Sequence, residues 1–161
     1  MKRELITLRK ADINDAKLLW RWRNEKMARK SAFNSEYISY DSHLKWFKNK
    51  LKDSNSFRYI ALNGDGIPVG QIRFDKLCAN SLEVDVSVSK EHRGKGYGTE
   101  LTKSGCRKIF DEIKINKILA RAKRSNVASI KAFSNSGFKK IKDTFYENHD
   151  IIEMKLVKNE N

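Results

Sequence analysis

Cysteine and proline are scarce in this chain of 161 residues, which has two cysteines, Cys78 and Cys106, and one proline, Pro68. No signal peptide is recognisable at the start of the chain, so two thiols do not suggest a disulfide framework. Neither thiol has a His or Cys nearby in the sequence that would complete a metal site. We therefore expect two reduced thiols, no metal, a cytoplasmic location and a single domain over residues 1–161.

Long apolar runs and acidic residues are also in short supply. No window approaches the roughly 20 apolar residues that a membrane-spanning helix needs. Lys and Arg number 34 against 20 Asp and Glu, which gives a formal net charge of +14. Such an excess implies anionic partners, either nucleic acid or polyanionic small molecules. The basic residues are spread along the chain without a recognised nucleic-acid motif, so a basic nucleic-acid-binding module remains the alternative to an enzyme.

Apolar periodicity and turn signals predict one α/β domain. The expected strands cover residues 5–9, 57–62, 67–75, 82–88, 117–122, 138–141 and 151–157. Asp12 and Ser39 are expected to cap the first two helices, which end near residues 24 and 51. A third helix is expected to begin after the glycines near residue 96. A fourth is expected over residues 126–136, where it ends before Gly137. Residues 25–38 and 76–80 are predicted to be loops, and a polar connection is expected to join the last two strands.

Three glycines fall within five residues in the segment Arg93-Gly94-Lys95-Gly96-Tyr97-Gly98, between a Val-rich strand and a helix. Glycine lets the backbone turn sharply and approach a ligand, and the unpaired N–H groups of a helix start favour phosphate. The segment lacks the Gly-Lys-Ser/Thr ending of a P-loop and the glycine spacing of the dinucleotide fingerprint. It therefore predicts a site for another phosphorylated ligand, or else a tight connection between strand and helix.

Residues 86–98, which read VSVSKEHRGKGYG, closely resemble the signature of the GNAT superfamily of N-acetyltransferases, in which Arg/Gln-x-x-Gly-x-Gly/Ala holds the coenzyme A pyrophosphate. Residues 126–138, which read NVASIKAFSNSGF, resemble the Asn-x-x-Ser/Ala…Gly-Phe helix of the same superfamily. The resemblance covers essentially the whole chain. It implies a three-layer α/β (α+β) fold, in which a mixed, mostly antiparallel sheet of about seven strands has helices on both faces. Acetyl-CoA would be the co-substrate.

The resemblance also implies roles for single residues. Backbone groups of Val86, Ser87 and Val88 would pair with the pantetheine arm, amides from residues 93 to 99 would hold the pyrophosphate, and Phe133 would lie beside the thioester sulfur. Many relatives have a tyrosine there that can protonate the departing thiolate, so here another hydroxyl does this or the thiolate leaves unaided. The expected coenzyme-binding residues are Val86, Ser87, Val88, Arg93, Gly94, Lys95, Gly96, Tyr97, Gly98, Thr99, Asn126, Ser129 and Phe133.

Polar residues alternate with apolar ones along the two strands before the glycines. Gln71, Arg73 and Asp75 share one face of the first strand, and Glu83, Asp85 and Ser87 share one face of the second. Adjacent pairing would give either an active-site wall or a solvated sheet face with charge pairs. Attack on a thioester needs a neutral amine and hence a base. Glu83 is our first candidate, with Asp85 and His43 as alternatives. No cysteine is placed to act as an acyl carrier, so we expect direct transfer in a ternary complex.

A second resemblance concerns the acceptor. Residues 22–24 (WRN), Arg29, and residues 38–39 (IS) and 43–47 (HLKWF) resemble GNAT enzymes of bacterial nonulosonic acid synthesis. Those enzymes acetylate an amino group on a UDP-linked amino-dideoxysugar on the route to pseudaminic acid. RimJ/RimL-type protein N-acetyltransferases share a similar stretch, so a protein N-terminus is the alternative acceptor. The expected acceptor-binding residues are Arg23, Asn24, Arg29, Lys30, His43, Trp46 and Arg73. No membrane partner is expected, and a homodimer is left open.

Overall fold

The computed structural model describes residues 5–159. Its strands are β1 (Thr7–Lys10), β2 (Ser56–Leu62), β3 (Pro68–Cys78), β4 (Ser81–Val88), β5 (Lys117–Lys123), β6 (Lys139–Tyr146) and β7 (His149–Val157). Its α-helices are α1 (Ala16–Asn24), α2 (Lys26–Ser31), α3 (Tyr40–Lys52), α4 (Tyr97–Glu112) and α5 (Val127–Asn135). Short 3₁₀ turns at Ile13–Asp15 and Lys90–His92 precede α1 and the glycines.

The seven strands form one sheet in the order β1-β2-β3-β4-β5-β7-β6. Every neighbouring pair is antiparallel except β4 and β5, which are parallel and are joined through α4. Helix α4 packs on one face, where Gly105 meets the side chain of Ile72. Helix α3 lies on the other face, where Trp46 stacks on Arg58 of β2. The expected three-layer α/β fold, with a mixed and mostly antiparallel sheet, is confirmed.

The main core lies between helix α4 and the sheet face on which this helix packs. Apolar residues of β2 to β5 alternate inward toward α4, as period-two strands dictate. Helix α4 comes unusually close, because a Cβ added at Gly105 would lie 2.4 Å from Ile72 Cδ1. The largest fully buried side chains of the protein are Phe47, Phe74, Ile60, Ile72, Leu82, Leu101, Ile109, Ile118, Ile151, Val69 and Thr102. The polar residues of the same strands are left to the opposite face, where α1 and α3 cover only part of the sheet.

Helix starts follow the predicted caps. The Asp12 carboxylate accepts a hydrogen bond from the backbone N–H of Asn14, and the Asp15 carboxylate accepts one from the backbone N–H of Asp12, which completes a capping box. Ser39 accepts from the backbone N–H of Ser42 at the start of α3. Asn126 does the same for Ser129 at the start of α5, and Gly137 takes a φ of +96° just after that helix.

The predicted loop at residues 25–38 is wrong in part, because α2 lies within it. Glu25 makes this helix possible, since its carboxylate accepts hydrogen bonds from the backbone N–H groups of Met27 and Ala28. The predicted loop at residues 76–80 is also too long, since β3 continues to Cys78.

The polar connection expected between the last two strands is a two-residue turn. Glu147 and Asn148 both take positive φ, of 47° and 66°, which matches the tight hairpin turn that suits twisted strands. Strands β6 and β7 therefore extend to residues 146 and 149, well beyond the predicted limits. Glu-Asn is not a usual turn pair, which is why the sequence hid the hairpin.

Both cysteines are free thiols, with Cys106 buried on α4 and Cys78 exposed. Across residues 5–159 no helix has the length and apolar character needed to cross a bilayer. That residues 1–161 form one domain stays a prediction.

Candidate functional site

The glycine-rich segment forms a sharp turn from β4 into α4. Gly94 and Gly96 take φ values of +78° and +85°, in the left-handed region that side chains rarely adopt. A Cβ at either position would meet nothing within 4 Å, so the backbone conformation rather than space requires glycine there. Gly96 is the residue before α4, and the N–H groups of the first turn of α4 therefore point out of the turn. Their positions suit an anion.

Strands β4 and β5 separate next to this turn. Their pairing runs from Ser81 opposite Lys117 to Val84 opposite Ala120 and then stops. Residues 85–88 are paired with β3 on one side, but no described strand pairs with them on the β5 side. We call this opening the β4–β5 split. The Ser89 N–H donates to the Val69 carbonyl on the β3 side, and alternate residues of a strand direct their backbone groups to the same side, so Ser87 also pairs toward β3. The backbone groups of Val86 and Val88 face the gap, where the Val88 carbonyl accepts from Arg93 Nε at 3.0 Å.

Helix α5 closes one side of the split. A Cβ on Gly98 would lie 3.7 Å from Ala132 Cβ, so α4 and α5 are in close contact. Phe133 is only 5% exposed and packs on Phe138, with ring centroids 5.1 Å apart. The Asn126 side-chain oxygen is used to cap Ser129. Their predicted coenzyme contacts stay predictions.

The predicted polar wall is present, because β3 and β4 pair as neighbours. Gln71 lies opposite Ser87, Arg73 opposite Asp85, and Asp75 opposite Glu83. Gln71 Nε2 donates to Asp85 Oδ2 at 3.2 Å and to Ser87 Oγ at 3.1 Å. Arg73 Nε lies 3.2 Å from Asp85 Oδ2.

The two candidate carboxylates on this wall differ in their surroundings. Glu83 forms a salt bridge with Arg121 of β5, whose Nε donates to Glu83 Oε2 at 2.6 Å. The Arg121 guanidinium in turn lies 4.0 Å from the Tyr146 ring centroid. The side chain of Asp85 is 54% exposed, against 29% for Glu83. Asp85 is also the first residue beyond the last paired position of β4, so it stands at the β4–β5 split.

Four arginines, from two helices and two strands, converge beside the wall. The members we call the arginine cluster are Arg23 of α1, Arg29 of α2, Arg58 of β2 and Arg73 of β3. Three of them hold a buried side-chain nitrogen without a hydrogen-bond partner among the described residues, namely Arg23 Nη1, Arg29 Nε and Arg58 Nη2. Nδ1 of His43, on α3, is in the same condition. Buried donors of this kind are rare in native proteins, and a bound anion would satisfy them.

Arg58 is the member that the sequence analysis missed. Its side chain is 8% exposed, stacks 4.7 Å from the Trp46 ring centroid and lies opposite Arg73 in the β2–β3 register. Burial first, and then the charge of Arg73, lowers the pKa of Arg58 to about 10. It takes a polar position on a strand next to the predicted wall, which is the signal that could have identified it. Predicted residue Trp46 is thus stacked against two members of the cluster, since Arg73 lies 5.8 Å from its centroid.

His43 is buried beneath this cluster, with 4% of its surface exposed. Burial lowers its pKa below the ordinary value, and the charges of Arg58, Arg23 and Arg73 lower it further. The imidazole is therefore neutral near pH 7. That is the protonation state a base needs, and it is also the state in which Nδ1 or Nε2 can donate to an anion.

Two of the residues predicted to bind the acetyl acceptor make hydrogen bonds within the protein. The Asn24 side chain donates to the carbonyl of Ile38 at 2.7 Å and accepts from its N–H at 2.9 Å, so it holds the segment before α3. Lys30 is exposed, and its carbonyl accepts from Lys123 Nζ at 2.9 Å. Their predicted contacts with an acceptor stay predictions.

Comparison with known proteins identifies the architecture. Residues 6–139 match the family model described as "Acetyltransferase (GNAT) domain". The acetyltransferase PseH of Campylobacter jejuni is 24% identical over 124 residues, which are 77% of this chain and 76% of that protein. The uncharacterized protein MJ1062 of Methanocaldococcus jannaschii is 27% identical over 94% of this chain, but the chain spans only 31% of that relative's length.

Solved structures with the same fold share little sequence with the chain. Spermidine N-acetyltransferase from Vibrio cholerae, in complex with CoA and spermine, superposes with a TM-score of 0.86 at 18% identity, covering 94% of this chain and 95% of that one. The aminoglycoside acetyltransferase AAC(6')-Ib in complex with coenzyme A gives a TM-score of 0.84 at 18% identity, over 95% of each chain.

Proposed function

Because this chain belongs to the GNAT acetyltransferase family, we propose that it transfers acetyl from acetyl-CoA to the amine of an anionic small molecule, a UDP-linked amino-dideoxysugar. Family membership confirms the resemblance drawn from the glycine segment and the predicted enzyme class, an acyltransferase. The expected co-substrate agrees with the coenzyme A bound in the solved relatives.

The coenzyme half of the site is the glycine turn together with the β4–β5 split. Amides at the start of α4 offer donors to a pyrophosphate, and the helix dipole adds to their effect. The backbone groups of Val86 and the N–H of Val88 offer an extended amide-containing arm the hydrogen bonds of a neighbouring strand. An arm lying in the split would bring its thioester end past Asp85, onto the face that carries the polar wall.

The observation that carries the acceptor proposal is the arginine cluster, in which three buried nitrogens lack a hydrogen-bond partner among the described residues, Arg58 Nη2 having only a 3.9 Å ion pair with Asp75. Spermidine and aminoglycosides, the substrates named for the solved relatives, are polycations, and four guanidinium groups would repel them. A diphosphate would instead supply the missing acceptors through charge-assisted hydrogen bonds. Trp46 offers an aromatic surface for a base or an apolar sugar face. PseH, the relative for which the sequence match covers most of both chains, is consistent with this choice.

In the reaction we propose, the neutral amine attacks the thioester carbonyl, a new C–N bond forms, and the C–S bond breaks to release the coenzyme thiolate. The attacking nitrogen must lose a proton to a base. The sequence favoured Glu83, but its carboxylate is held by Arg121. Asp85 is more exposed and stands at the split, so we assign the base role to Asp85, acting directly or through a water. His43 remains the alternative.

The thiolate leaves without a tyrosine at the position of Phe133. A free thiol has a pKa near 8.5, so a thiolate is a moderate leaving group that does not depend on a strong acid. The amide donors near the split can stabilise its charge as it develops.

A thiol-release assay with acetyl-CoA tests the proposal against UDP-amino-dideoxysugars, N-terminal peptides of ribosomal proteins, spermidine and an aminoglycoside. We expect kcat/KM for the sugar nucleotide to exceed every other by at least about tenfold, since charge-assisted contacts to one phosphate are worth about 1.5–3 kcal/mol. A higher kcat/KM for a peptide would agree with an N-acetyltransferase but would contradict the UDP-linked sugar as the acceptor. If none of the acceptors on the panel supports thiol release, the proposal of an anionic acceptor is contradicted.

A further inference from the structure

Glu25 connects the two halves of the site. It stands between α1 and α2, and its Oε2 accepts a hydrogen bond from Arg93 Nη2 at 2.8 Å, across 68 residues of sequence. The same carboxylate accepts from the N–H groups of Met27 and Ala28, both at 3.0 Å. Arg93 Nε donates to the carbonyl of Val88 at 3.0 Å. One carboxylate therefore joins the start of α2 to the end of β4 and to the first residue of the glycine turn.

The contact between Glu25 and Arg93 is an ion pair that is partly shielded from solvent. The hydrogen bond from Arg93 and the two α2 amides lower the pKa of Glu25 to about 2, so the carboxylate is ionised throughout the physiological range. The Glu25 side chain is 18% exposed and that of Arg93 is 35% exposed. A charge-assisted pair in this setting is stronger than a fully solvated one, which contributes little.

The C-terminal end of α2 and the residues just after it contact the β5 side of the β4–β5 split. The carbonyl of Lys30 accepts from Lys123, the last residue of β5. The carbonyl of Phe33 lies 2.9 Å from His149 Nε2, and the Phe33 ring packs 5.1 Å from that of Tyr146. Helix α2 thus runs from the end of β4 to the end of β5, across the β4–β5 split, and it carries Arg29 of the arginine cluster.

We propose that Glu25 is a positioning residue that couples coenzyme binding to the acceptor half of the site. The inference rests on the proposed function, since it takes the glycine turn to be the pyrophosphate site. A pyrophosphate held by amides of the turn orders that turn. Arg93 is then fixed, Glu25 stays bound to it, and α2 is held across the split with Arg29 facing the acceptor. Coenzyme occupancy in this way prepares the acceptor side before the amine arrives.

A helix cap alone would behave differently. If Glu25 served only to start α2, its loss would loosen α2 equally with and without coenzyme, and Arg93 would not matter to α2. Coupling requires both partners. Glu25→Gln removes the ion pair and one cap acceptor, whereas Arg93→Gln removes the ion pair and leaves the cap intact, so the two roles can be separated.

Hydrogen–deuterium exchange of the full chain, with and without saturating coenzyme A, measures this coupling without any acceptor. In the wild type we expect coenzyme A to slow exchange in residues 26–31 at least about fivefold, the lower end of usual coupling between sites. In Glu25→Gln the coenzyme-dependent slowing in residues 26–31 should be lost while residues 94–99 remain protected. Arg93→Gln should lose the same slowing when coenzyme A is raised to a concentration that saturates this variant, as calorimetric titration establishes, so that weaker coenzyme binding is not mistaken for lost coupling. The double variant should match either single one. Glu36→Gln, an exposed carboxylate on the following loop, is the matched control and should respond like the wild type.

Each contrary result has a separate meaning. Protection of residues 94–99 without any change in residues 26–31 of the wild type overturns the coupling and leaves the coenzyme site standing. Faster exchange in residues 26–31 on adding coenzyme A also overturns it, because the pyrophosphate would then draw Arg93 away from Glu25. Persistence of the slowing in both variants reduces Glu25 to a cap. Absence of protection in residues 94–99 removes the proposed coenzyme site, and the coupling with it.

Discussion

Arg73 and Asp85 face each other across β3 and β4, with the Arg73 Nε 3.2 Å from the Asp85 Oδ2. The same carboxylate oxygen also accepts from Gln71. These contacts orient Asp85 on the open part of the wall without enclosing it, since its side chain is 54% exposed. A carboxylate that is oriented but still accessible can take a proton from a bound ammonium or from a water next to it.

Asp85→Asn should lower kcat by about 10²–10⁴, the usual contribution of a general base, while the KM for acetyl-CoA changes little. Asparagine keeps the shape of the side chain and cannot accept the proton. Glu83→Gln is the matched comparison, and its effect should be at least tenfold smaller because Glu83 is already bound to Arg121. Steady-state kinetics over pH 6–9 measure both. A larger loss in Glu83→Gln would return the base role to Glu83, as the sequence first suggested.

Gly96→Val should weaken acetyl-CoA binding at least about tenfold while the fold is kept. Gly96 has a φ of +85°, which a β-branched residue adopts only with strain, so the turn and its amides must move. Calorimetric titration with acetyl-CoA gives the affinity, and circular dichroism checks the fold. Gly64→Ala is the control, because Gly64 lies in the β2–β3 turn with open space and no positive φ. Equal affinity in the folded Val variant would argue against the turn as the pyrophosphate site.

Arg29→Ala should raise the KM for a UDP-amino sugar about ten- to a hundredfold and leave that for acetyl-CoA nearly unchanged, as expected for loss of one charge-assisted contact. Removing UDP from the sugar should weaken binding to the wild type in the same way, so mutation and truncation together should be less than additive. Arg107→Ala, an exposed arginine on α4, removes equal charge from the opposite face. If both variants shift the KM alike, the effect is one of general charge, and the arginine cluster does not bind the diphosphate.

The pKa of His43 should make stability depend on pH. Because the folded-state pKa lies below the ordinary value near 6.5, the unfolded chain binds a proton in the interval between the two values and the folded chain does not. The free energy of unfolding should therefore fall as pH drops from 7 through that interval. Urea denaturation at pH 7.5 and 5.5 gives the free energy of unfolding of the wild type and of His43→Gln. The decrease that is due to His43 should be absent from the variant. Identical pH dependence in the two proteins would mean that His43 does not titrate in this way.

Local signals in the sequence predicted much of this molecule. The predicted caps Asp12 and Ser39 act through neighbours within three residues, so short sequence windows contain all that determines them. The polar wall followed from period-two alternation, because Gln71, Arg73 and Asp75 are separated by single apolar residues and therefore share one face. The register between β3 and β4 became known only from the structure. The family resemblance supplied the three-layer architecture, the identity of the co-substrate and the second coenzyme motif at residues 126–138.

Long-range contacts account for what the sequence did not reveal. Helix α2 depends on Glu25, whose second partner, Arg93, is 68 residues away. Arg121 binds Glu83 only because β5 returns beside β4 through α4, and this pair changed the choice of base. Arg58 looked like an ordinary strand residue, since its burial depends on Trp46 of a helix on the sheet face. Each of these contacts joins segments that no local pattern relates.

The β4–β5 split also bears on how freely this sequence can change over evolution. A ligand arm that pairs with main-chain groups of Val86 and Val88 asks only for extended backbone there and makes no demand on the identity of the side chains. Substitutions at those positions can then accumulate so long as the strand persists and its inward residues stay apolar. The superposition at a TM-score of 0.86 with only 18% identity shows how much side-chain change this fold accommodates. Variation is instead constrained at the glycines with positive φ.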